Sequence, residues 1–237
     1  MIDYTLTSDG MFAYGYPRAA MTTDSVIFGF DGQQLNVLLI RRGIEPYKGS
    51  WAFPGGFLRM EETVEECARR ELYEETGYEQ PYMEQFGVFS AVDRDPRWRV
   101  VTVGFYALVP MREVHGGDDA AEARWFPINQ MPTLAFDHAD IFEAALRHLR
   151  EDVYFRPIGF ELLPDKFTVP QLQRLYEAIL GVQFDRRNFM KKMMTIDILE
   201  DTGEKEEAHS HRAAAYYRFN QERYDQFKTK RNFNFEF

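Results

Sequence analysis

The sequence predicts an α+β protein of two domains, in which a larger strand-rich domain precedes a small helical one. Short apolar segments typical of strands dominate up to residue 156, with only a few helical patterns among them. A proline-punctuated stretch at 156–164 then separates this region from a different, helical pattern. The charge balance shifts at the same place: residues 1–156 hold 15 Lys and Arg against 25 Asp and Glu, whereas residues 157–237 hold 13 against 13. We therefore predict an N-terminal arm at 1–21, a first domain at 22–156, and a second domain with a C-terminal tail at 157–237.

The composition argues against two classes of protein, non-specific nucleic-acid-binding proteins and membrane proteins. The formal net charge of −10 at pH 7 argues against non-specific nucleic-acid binding by the whole molecule, because contacts to phosphate need a basic surface. No apolar run approaches the ~18 residues that span a bilayer, so we expect no membrane partner. The chain begins without a signal-peptide pattern, and Cys67 is its only cysteine. These features predict a reducing, cytoplasmic setting.

The first domain should be a sheet with helices packed on it. Residues 1–20 mix Gly, Pro and aromatic residues without a period, so no regular structure is predicted there. The first two strands should form a hairpin across Asp31 and Gly32. In chain order the predicted elements are strands at 26–30 and 35–40, a helix near 64–76, strands at 100–109 and 124–128, and a helix near 139–150.

The helix near 64–76 has clear ends and an unusual inward face. Thr63 and Glu66 have the spacing of a capping box, and Gly77 suits the position after the last turn. Positions three or four apart form the inward stripe, which runs through Val64, Cys67, Ala68, Glu71, Glu74 and Glu75. Three carboxylates thus stand where apolar residues should continue. The opposite face holds ordinary polar surface: Glu65, Glu66, Arg69 and Tyr73.

Three glutamates on one inward stripe predict a cation site. A single Glu on a helix is most often a solvated surface residue, but three on the core side are hard to explain in that way. Carboxylates one turn apart repel each other and raise each other's pKa unless a cation neutralises them. Because a hard divalent ion with oxygen ligands meets this need, the stripe predicts bound Mg²⁺ or Mn²⁺.

The same segment resembles a known family motif. Gly56, Glu62 and the run Arg-Glu-Leu-Tyr-Glu-Glu-Thr-Gly-Tyr at 70–78 fill every fixed position of the Nudix box at its spacing. The resemblance implies an α/β/α sandwich whose loop–helix–loop binds Mg²⁺ over a pyrophosphate. It implies that Arg70 orients Glu71 by charge-assisted hydrogen bonding and that Glu62 supports the loop. The implied metal ligands are Glu71, Glu74 and Glu75, with the carbonyl of Gly56 as a further candidate.

The resemblance also implies metal-assisted hydrolysis. In Nudix enzymes the metal ions neutralise the diphosphate and acidify the water that attacks phosphorus, while a carboxylate takes the proton. We therefore predict Glu71, Arg70 and Glu74 as catalytic residues. The base varies between subfamilies, and Glu122 also fits a plain surface acid. The candidates for the base are Glu71, Glu74, Asp118, Asp119 and Glu122.

Two further segments are candidate substrate-binding sites. Arg41 and Arg42 close a predicted strand where they could reach phosphate, although a solvated basic pair explains them equally well. The loop at 93–99 resembles the Arg-Asp-Pro-Arg loops of Nudix proteins that act on ADP-ribose. It predicts that Arg97 clamps phosphate and that Trp98 stacks on a base or sugar. A surface turn with local ion pairs is the alternative.

The second domain shows a helix-turn-helix pattern. Thr168, the early Pro170 and Gly181 delimit a short amphipathic helix. Asp185 then caps a second helix. Its apolar side should hold Phe189, Met190, Met193 and Met194, and its basic outer face is typical of DNA-binding modules. The candidate DNA contacts on this helix are Arg186, Arg187, Asn188, Lys191 and Lys192.

A β-hairpin wing should follow the two helices. Strands at 196–199 and 213–219 flank a polar loop, with Arg212 near the tip as a further candidate DNA contact. Alternatively, all of these basic residues lie on the solvent-exposed face of a small helical domain and bind no DNA. Residues 167–181, 185–189 and 212–219 resemble the winged-helix domain of Nudix-related transcriptional regulators. The resemblance to this group covers about residues 22–220.

Two functions follow from the two resemblances. The regulators include NAD-metabolism repressors that sense ADP-ribose and sugar-utilisation regulators of gut bacteria, and they are homodimers whose ligand alters affinity for an operator in double-stranded DNA. Many of them have degenerate boxes, whereas this chain keeps every box residue. We predict a regulator that responds to a nucleoside diphosphate or sugar effector and retains Mg²⁺-dependent hydrolysis of a ligand such as ADP-ribose. The alternative is a plain Nudix hydrolase whose C-terminal domain serves dimerisation or substrate closure.

Overall fold

The computed structural model of the protein describes residues 4–8, 12–79, 81–117, 120–206 and 213–228. No helix within these ranges is long and apolar enough to cross a bilayer. The strands are β1 (Tyr4–Leu6), β2 (Phe12–Tyr14), β3 (Ala20–Phe30), β4 (Leu35–Arg42), β5 (Trp51–Ala52), β6 (Gly55–Phe57), β7 (Glu84–Phe89), β8 (Val100–Leu108), β9 (Ala120–Pro127), β10 (Phe167–Thr168), β11 (Leu199–Lys205) and β12 (Ala215–Phe219). The helices are α1 (Val64–Thr76), α2 (His138–Phe155), α3 (Val169–Leu180), α4 (Arg186–Ile196) and α5 (Gln221–Lys228), with one 3₁₀ turn at Phe160–Leu162.

A mixed sheet of seven strands forms the first domain. Its order is β5-β4-β3-β8-β7, with β6 paired to β3 and β9 paired to β4. The central pair, β3 and β8, is parallel over nine residue pairs, and the other pairs are antiparallel. The predicted hairpin is present, since β3 pairs with β4 on either side of the turn.

Helices cover both faces of this sheet, which confirms the expected α/β/α layers. Successive residues of β3 and β4 enter different cores, because side chains alternate between the two faces of a strand. Ile27 and Leu38 pack in the core that contains α1, whereas Val26 and Val37 pack in the core that contains α2. Both strands are therefore buried on both sides along their apolar segments, at 26–30 in β3 and 37–40 in β4.

The first twenty residues contain strands that the sequence did not predict. β1 and β2 form a separate antiparallel pair, and β3 begins at Ala20, six residues before the expected start. Apart from Met21, the extra residues of β3 are polar or small, but their pairing with β8 and β6 keeps them in the sheet. Strand propensity is a weak signal where partners across the sheet supply the hydrogen bonds.

The second domain consists of α3, α4, a three-stranded sheet of order β10-β12-β11, and α5. The predicted caps of its two main helices and the predicted end of α3 are confirmed, whereas α4 runs to Ile196, where the sequence predicted the start of a strand. Thr168 and Gln171 form a capping box, and Gly181 ends α3 with a left-handed φ of 70°. The Asp185 side chain caps α4 by accepting from the backbone N–H of Arg187 at 3.1 Å and of Asn188 at 2.9 Å.

The apolar side of α4 differs from the prediction. Phe189 and Met193 are buried as expected, but the third buried position is Ile196. Met190 is 44 % exposed and Met194 is 36 % exposed. The buried residues of α4 are thus separated by four and then three positions, as expected for one face of a helix. Met190 and Met194 each follow a buried residue directly in the sequence and therefore point away from the core.

One apolar core joins the two domains. The cluster that contains Phe28 and Phe142 of the first domain continues through Leu172 and Tyr176 of α3. Two hydrogen bonds reinforce the contact: Nε of Arg150 donates to the Ile179 carbonyl at 2.9 Å, and Nε of Arg174 donates to the Gly32 carbonyl at 3.2 Å.

We expect the shared core to make unfolding cooperative across both domains. Leu172→Ala removes a fully buried side chain and should lower the free energy of unfolding by about 2–5 kcal/mol. Calorimetry should show one transition, shifted to lower temperature for the whole chain. The control, Val182→Ala, truncates a side chain that is 43 % exposed and should change the stability little. Two separate transitions, with only one of them shifted in Leu172→Ala, would contradict this expectation.

Candidate metal and diphosphate site

Helix α1 presents its side chains in a fixed orientation because both of its ends are capped. The Thr63 hydroxyl accepts from the backbone N–H of Glu66 at 3.2 Å, and the Glu66 carboxylate accepts from the N–H of Thr63 at 2.8 Å. Gly77 adopts a φ of 73°, and its N–H donates to the Tyr73 carbonyl at 2.8 Å. Both predicted caps are confirmed.

The inward stripe of α1 changes from apolar to acidic along the helix. Cys67 and Ala68 are fully buried, and Glu75 is only 5 % exposed. Glu71 and Glu74 are half-buried. The residues predicted on the outer face are all exposed: Glu65, Glu66, Arg69 and Tyr73. The helix therefore directs three carboxylates toward the sheet, where burial penalises their charge.

One guanidinium, that of Arg70, contacts three acids of the box. Nη1 of Arg70 donates to Glu71 at 2.6 Å and to Glu74 at 2.9 Å. Its Nε and Nη2 hold both oxygens of Glu62, at 2.9 and 2.7 Å. The hydrogen bonds from Arg70 lower the pKa of Glu62 to about 2. Arg70 thus contacts Glu71, as the orienting role predicted for it requires, and it ties the loop before α1 to the helix.

Glu75 and Glu71 retain an electrostatic cost that a cation would remove. Burial raises the pKa of Glu75 to about 8; the N–H of Gly55, 2.9 Å away, opposes the rise, and the nearby charges of Glu71 and Asp24 add to it. Burial also raises the pKa of Glu71. A divalent ion favours the ionised form of such carboxylates, and hard oxygen donors are the ligands that Mg²⁺ and Mn²⁺ prefer. The donor set therefore fits the predicted metal.

Gly56 lets the loop before α1 approach the carboxylates closely. A Cβ atom at this position would collide with the carboxylate of Glu71, so a larger residue would displace that side chain. The Gly56 carbonyl also accepts a weak hydrogen bond from Sγ of Cys67 at 3.8 Å. The structure therefore brings the backbone of Gly56 to the acidic stripe, which is where a further oxygen ligand is needed.

A cavity of about 390 Å³ opens next to these carboxylates. Acidic and basic groups line the same space, an arrangement suited to a metal-bound diphosphate. Phe57 and Phe136 add aromatic surface. The charged lining residues include Glu71, Glu74, Glu75, Arg42, Arg59 and Arg97.

The predicted substrate-binding residues divide into two groups. Arg42 and Arg97 line the cavity, and each is anchored: Nε of Arg42 donates to the Pro46 carbonyl at 2.8 Å, and Arg97 holds the Asp95 carboxylate at 3.0 and 2.7 Å.

Arg41 and Trp98 lie outside the lining. Nε of Arg41 donates to the Gly49 carbonyl at 3.0 Å on an exposed surface. Trp98 is 60 % exposed and meets Phe57 edge-on, with ring centroids 6.1 Å apart. The pair Arg41 and Arg42 is therefore not a single phosphate-binding unit.

A buried ionic cluster beside the cavity was missed from the sequence. Arg94 is held by both oxygens of Asp137, at 2.9 and 2.7 Å, and by Asp24 at 3.4 Å. Nδ1 of His138 accepts from the backbone N–H of Phe53 at 2.9 Å, and its Nε2 lies 3.4 Å from Asp24. Burial lowers the pKa of His138, which favours the neutral ring. Arg94 lies in the loop at 93–99, but its partners come from distant elements.

Of the three candidate bases that lie in the described part of the chain, two helix residues line the cavity and Glu122 does not. Glu71 and Glu74 line it, whereas Glu122 lies elsewhere, with its carboxylate 3.9 Å from Arg124. Asp118 and Asp119 fall outside the described residues. The surface-acid alternative therefore describes Glu122 better than a catalytic role does.

A second group of possible ligands lies at the end of α2. One potential ligand atom from each of three residues lies within 4.8 Å of the other two, which is close enough to bind one metal ion. The residues are Glu84, His148 and Asp152. Nη2 of Arg156, however, donates to Glu84 at 2.9 Å and to Asp152 at 2.5 Å. Arg156 therefore supplies a positive charge to this cluster and links β7 to the end of α2.

The predicted DNA-binding side chains lie mainly on one exposed face. Arg186, Arg187, Asn188 and Lys191 are exposed on α4, and Lys192 is half-buried. The hairpin of β11 and β12 forms the expected wing, although it begins at Leu199, three residues later than predicted. Arg212 falls outside the described residues.

Comparison with known proteins supports both halves of this description. The NUDIX domain profile matches residues 19–145, and that of the NrtR DNA-binding winged helix domain matches residues 159–219. The chain therefore belongs to the Nudix family, a family of hydrolases, and carries an NrtR-type winged helix domain. The predicted fold, a Nudix sandwich followed by a winged helix domain, is confirmed.

Three relatives illustrate the similarity. The ADPR responsive transcriptional repressor NtrR of Acinetobacter baylyi is 36% identical over 215 residues, covering 89% of this chain and 86% of the relative. The ADP-ribose pyrophosphatase of Methanocaldococcus jannaschii is 42% identical over 132 residues, which cover 56% of this chain and 76% of that enzyme. The crystal structure of Shewanella oneidensis NrtR with a 27mer DNA superposes with a TM-score of 0.73 at 31% identity, over 86% of this chain and 95% of the other.

We expect Arg70 to be required for the stability of the acidic helix. Arg70→Met leaves Glu62, Glu71 and Glu74 without their shared counter-charge, so the metal-free protein should lose roughly 3 kcal/mol of unfolding free energy. Chemical denaturation at pH 7 measures this loss. Arg69→Met, on the exposed face one residue earlier, is the matched control and should change stability by less than ~0.5 kcal/mol. Equal stabilities of the two variants would show that Arg70 has no such role.

Proposed function

We propose that this protein is an ADP-ribose-responsive transcriptional regulator whose Nudix domain still hydrolyses ADP-ribose or a related nucleoside diphosphate with Mg²⁺. The observation that carries this conclusion is the combination of two sites in one chain. An intact acidic helix borders a cavity that contains Arg42 and Arg97, and a winged helix domain exposes basic residues on α4. A relative similar over nearly the whole chain responds to ADPR, and a relative of the first domain alone is an ADP-ribose pyrophosphatase.

The cavity provides complementary groups for a diphosphate. Arg42 and Arg97 would donate to phosphate oxygens, because planar guanidinium groups match phosphate geometry. The aromatic surface of the cavity at Phe57 suits the base or a sugar face. Trp98, packed on Phe57, would contact the ligand only at the edge of the cavity.

The acidic helix supplies the residues for hydrolysis. Mg²⁺ or Mn²⁺ held there would supply positive charge against the diphosphate and would make an attacking water more acidic. Glu71, Glu74 and Glu75, with the carbonyl of Gly56, would hold the ion. Arg70 donates to both Glu71 and Glu74 and orients them, and one of these two carboxylates would accept the proton from water.

The second domain would bind operator DNA through α4. Its outer face would meet phosphates and base edges through Arg186, Arg187, Asn188 and Lys191, with Lys192 at the margin. Arg212, which lies outside the described residues, is proposed from its sequence position as a further DNA contact. We further propose a homodimer, acting in the cytoplasm where it meets its operator, since two winged helix domains recognise two half-sites.

A plain hydrolase is the second candidate function. The complete carboxylate set favours it, as does the balanced charge of residues 157–237, because DNA-binding domains are commonly basic. The two functions differ in what the exposed basic residues of α4 do. In a plain hydrolase they would be solvated surface, and their removal would leave every nucleic-acid measurement unchanged.

The hydrolysis proposal predicts a sharp effect at one helix position. Glu74→Gln removes a charged oxygen ligand and should lower Mg²⁺-dependent release of AMP from ADP-ribose by at least about 100-fold. Glu65→Gln makes the same change on the exposed face of α1 and should leave the rate intact. If wild-type protein releases no product from a panel of nucleoside diphosphate derivatives with Mg²⁺ or Mn²⁺, the enzymatic part of the proposal fails.

The DNA-binding proposal predicts a salt-dependent effect. Arg187→Ala and Lys191→Ala should each weaken binding to DNA upstream of the protein's own gene, and the slope of log affinity against log salt should fall by about 1 for each lost phosphate contact. Fluorescence anisotropy across a salt series measures both quantities. Arg147→Ala, an exposed arginine of α2, removes the same charge away from the second domain and serves as the control. No binding by wild-type protein even at low salt would reject the regulator in favour of the plain hydrolase.

A further inference from the structure

Phe136 has a backbone conformation that bulky residues avoid. Its φ angle is +51°, in the left-handed region that favours glycine and asparagine. Its neighbours hold it there: the N–H of Ala135 donates to the Trp51 carbonyl at 2.8 Å, and the Asp137 side chain is clamped by Arg94. Such strain persists only where the surroundings enforce it, and it concentrates at functional sites.

The enforced backbone presents the Phe136 ring to two arginines of the cavity. Cζ of Arg42 lies 4.9 Å from the ring centroid, and Cζ of Arg97 lies 5.9 Å from it. Tyr47, whose φ is +62°, meets the same ring edge-on with centroids 4.7 Å apart. Arg42 belongs to β4 and Arg97 to the loop before β8, so the ring connects two separate elements of the site.

Contact with a ring suits an arginine that also binds phosphate. A guanidinium presents its face to an aromatic ring, whereas its N–H groups point outward in the plane and can donate to anionic oxygens. The negative face of the ring attracts both cations and offsets part of their mutual repulsion. The Pro46 carbonyl accepts from Nε of Arg42, and the Asp95 carboxylate accepts from Arg97; the Phe136 ring adds a contact to each guanidinium. Arg97 also meets the rings of Phe57 and Trp98, at 5.2 and 5.4 Å from Cζ.

We propose that Phe136 is a positioning residue for diphosphate recognition. Its ring holds Arg42 and Arg97 in orientations from which both guanidinium groups donate to the pyrophosphate of the ligand. The inference rests on the proposed function, because it assigns these two arginines to phosphate. Phe136 itself acts through the arginines and makes no direct contribution to the affinity for the base.

The test measures binding of two probes, ADP-ribose and inorganic pyrophosphate, by titration calorimetry on the full-length protein. Phe136→Leu and Phe136→Asn both remove the ring, and Asn also tolerates the left-handed backbone, so a stably folded ring-free variant is available. Both should bind each probe about tenfold more weakly than the wild type. Phe136→Tyr keeps the ring and should remain within about twofold of the wild type.

A double-mutant cycle separates positioning from direct contact. In an Arg42→Ala background, Phe136→Leu should weaken ADP-ribose binding by less than about threefold, since one of the groups that it positions is already missing. The full tenfold loss in both backgrounds would mean that the ring contacts the ligand itself and would overturn the proposal. So would ring-free variants that bind both probes as tightly as the wild type. If the wild type binds neither probe, the proposed ligand class is wrong, and this inference fails with it.

Discussion

The repulsion among carboxylates on one helix is the constraint on which this site depends. Glu62, Glu71, Glu74 and Glu75 converge around the start and inner face of α1, and three of them share the single guanidinium of Arg70. Glu75 lies deeper, and burial raises its pKa to about 8, so its ionised form is costly unless a metal ion stabilises it. Arg70 therefore stabilises the helix without fully neutralising it. The residual negative charge is what allows the helix to bind both a cation and, through it, a diphosphate.

Local signals in the sequence predicted much of this site, and long-range contacts account for what was missed. The caps of α1, the switch of its inner stripe from apolar to acidic, and the two helices of the second domain all follow from spacings within one turn or two. The cluster of Asp24, Arg94, Asp137 and His138 left no such signal, because its members come from β3, a loop and the start of α2. The role of Phe136 was also invisible, since the chain needs tertiary contacts to force a phenylalanine into a left-handed conformation.

Strand alternation explains why one of two adjacent arginines reaches the cavity. Leu38 and Ile40 of β4 face the core beneath α1, so Arg42, which follows them with the same parity, emerges beside the acidic helix. Arg41 has the opposite parity and emerges on the other face. The period of two residues requires that only one member of the pair faces the site. The sequence of β4 alone does not show which of the two arginines faces the cavity. The answer depends on which face of the sheet α1 covers, and only the assembled sheet determines that face.

The single core that runs through both domains limits how proteins of this architecture can recombine. Helix α2 begins at His138 on the wall of the cavity and ends at the boundary, and on the way its apolar side packs in the cluster that includes α3. A winged helix domain from another regulator, joined near residue 157, would meet a surface shaped for Leu172 and Tyr176 and would leave Arg150 without the Ile179 carbonyl. An effective exchange must therefore carry α2 along with the winged helix. In such proteins new pairings of effector and operator are easier to reach by substitutions within each site than by swapping whole domains.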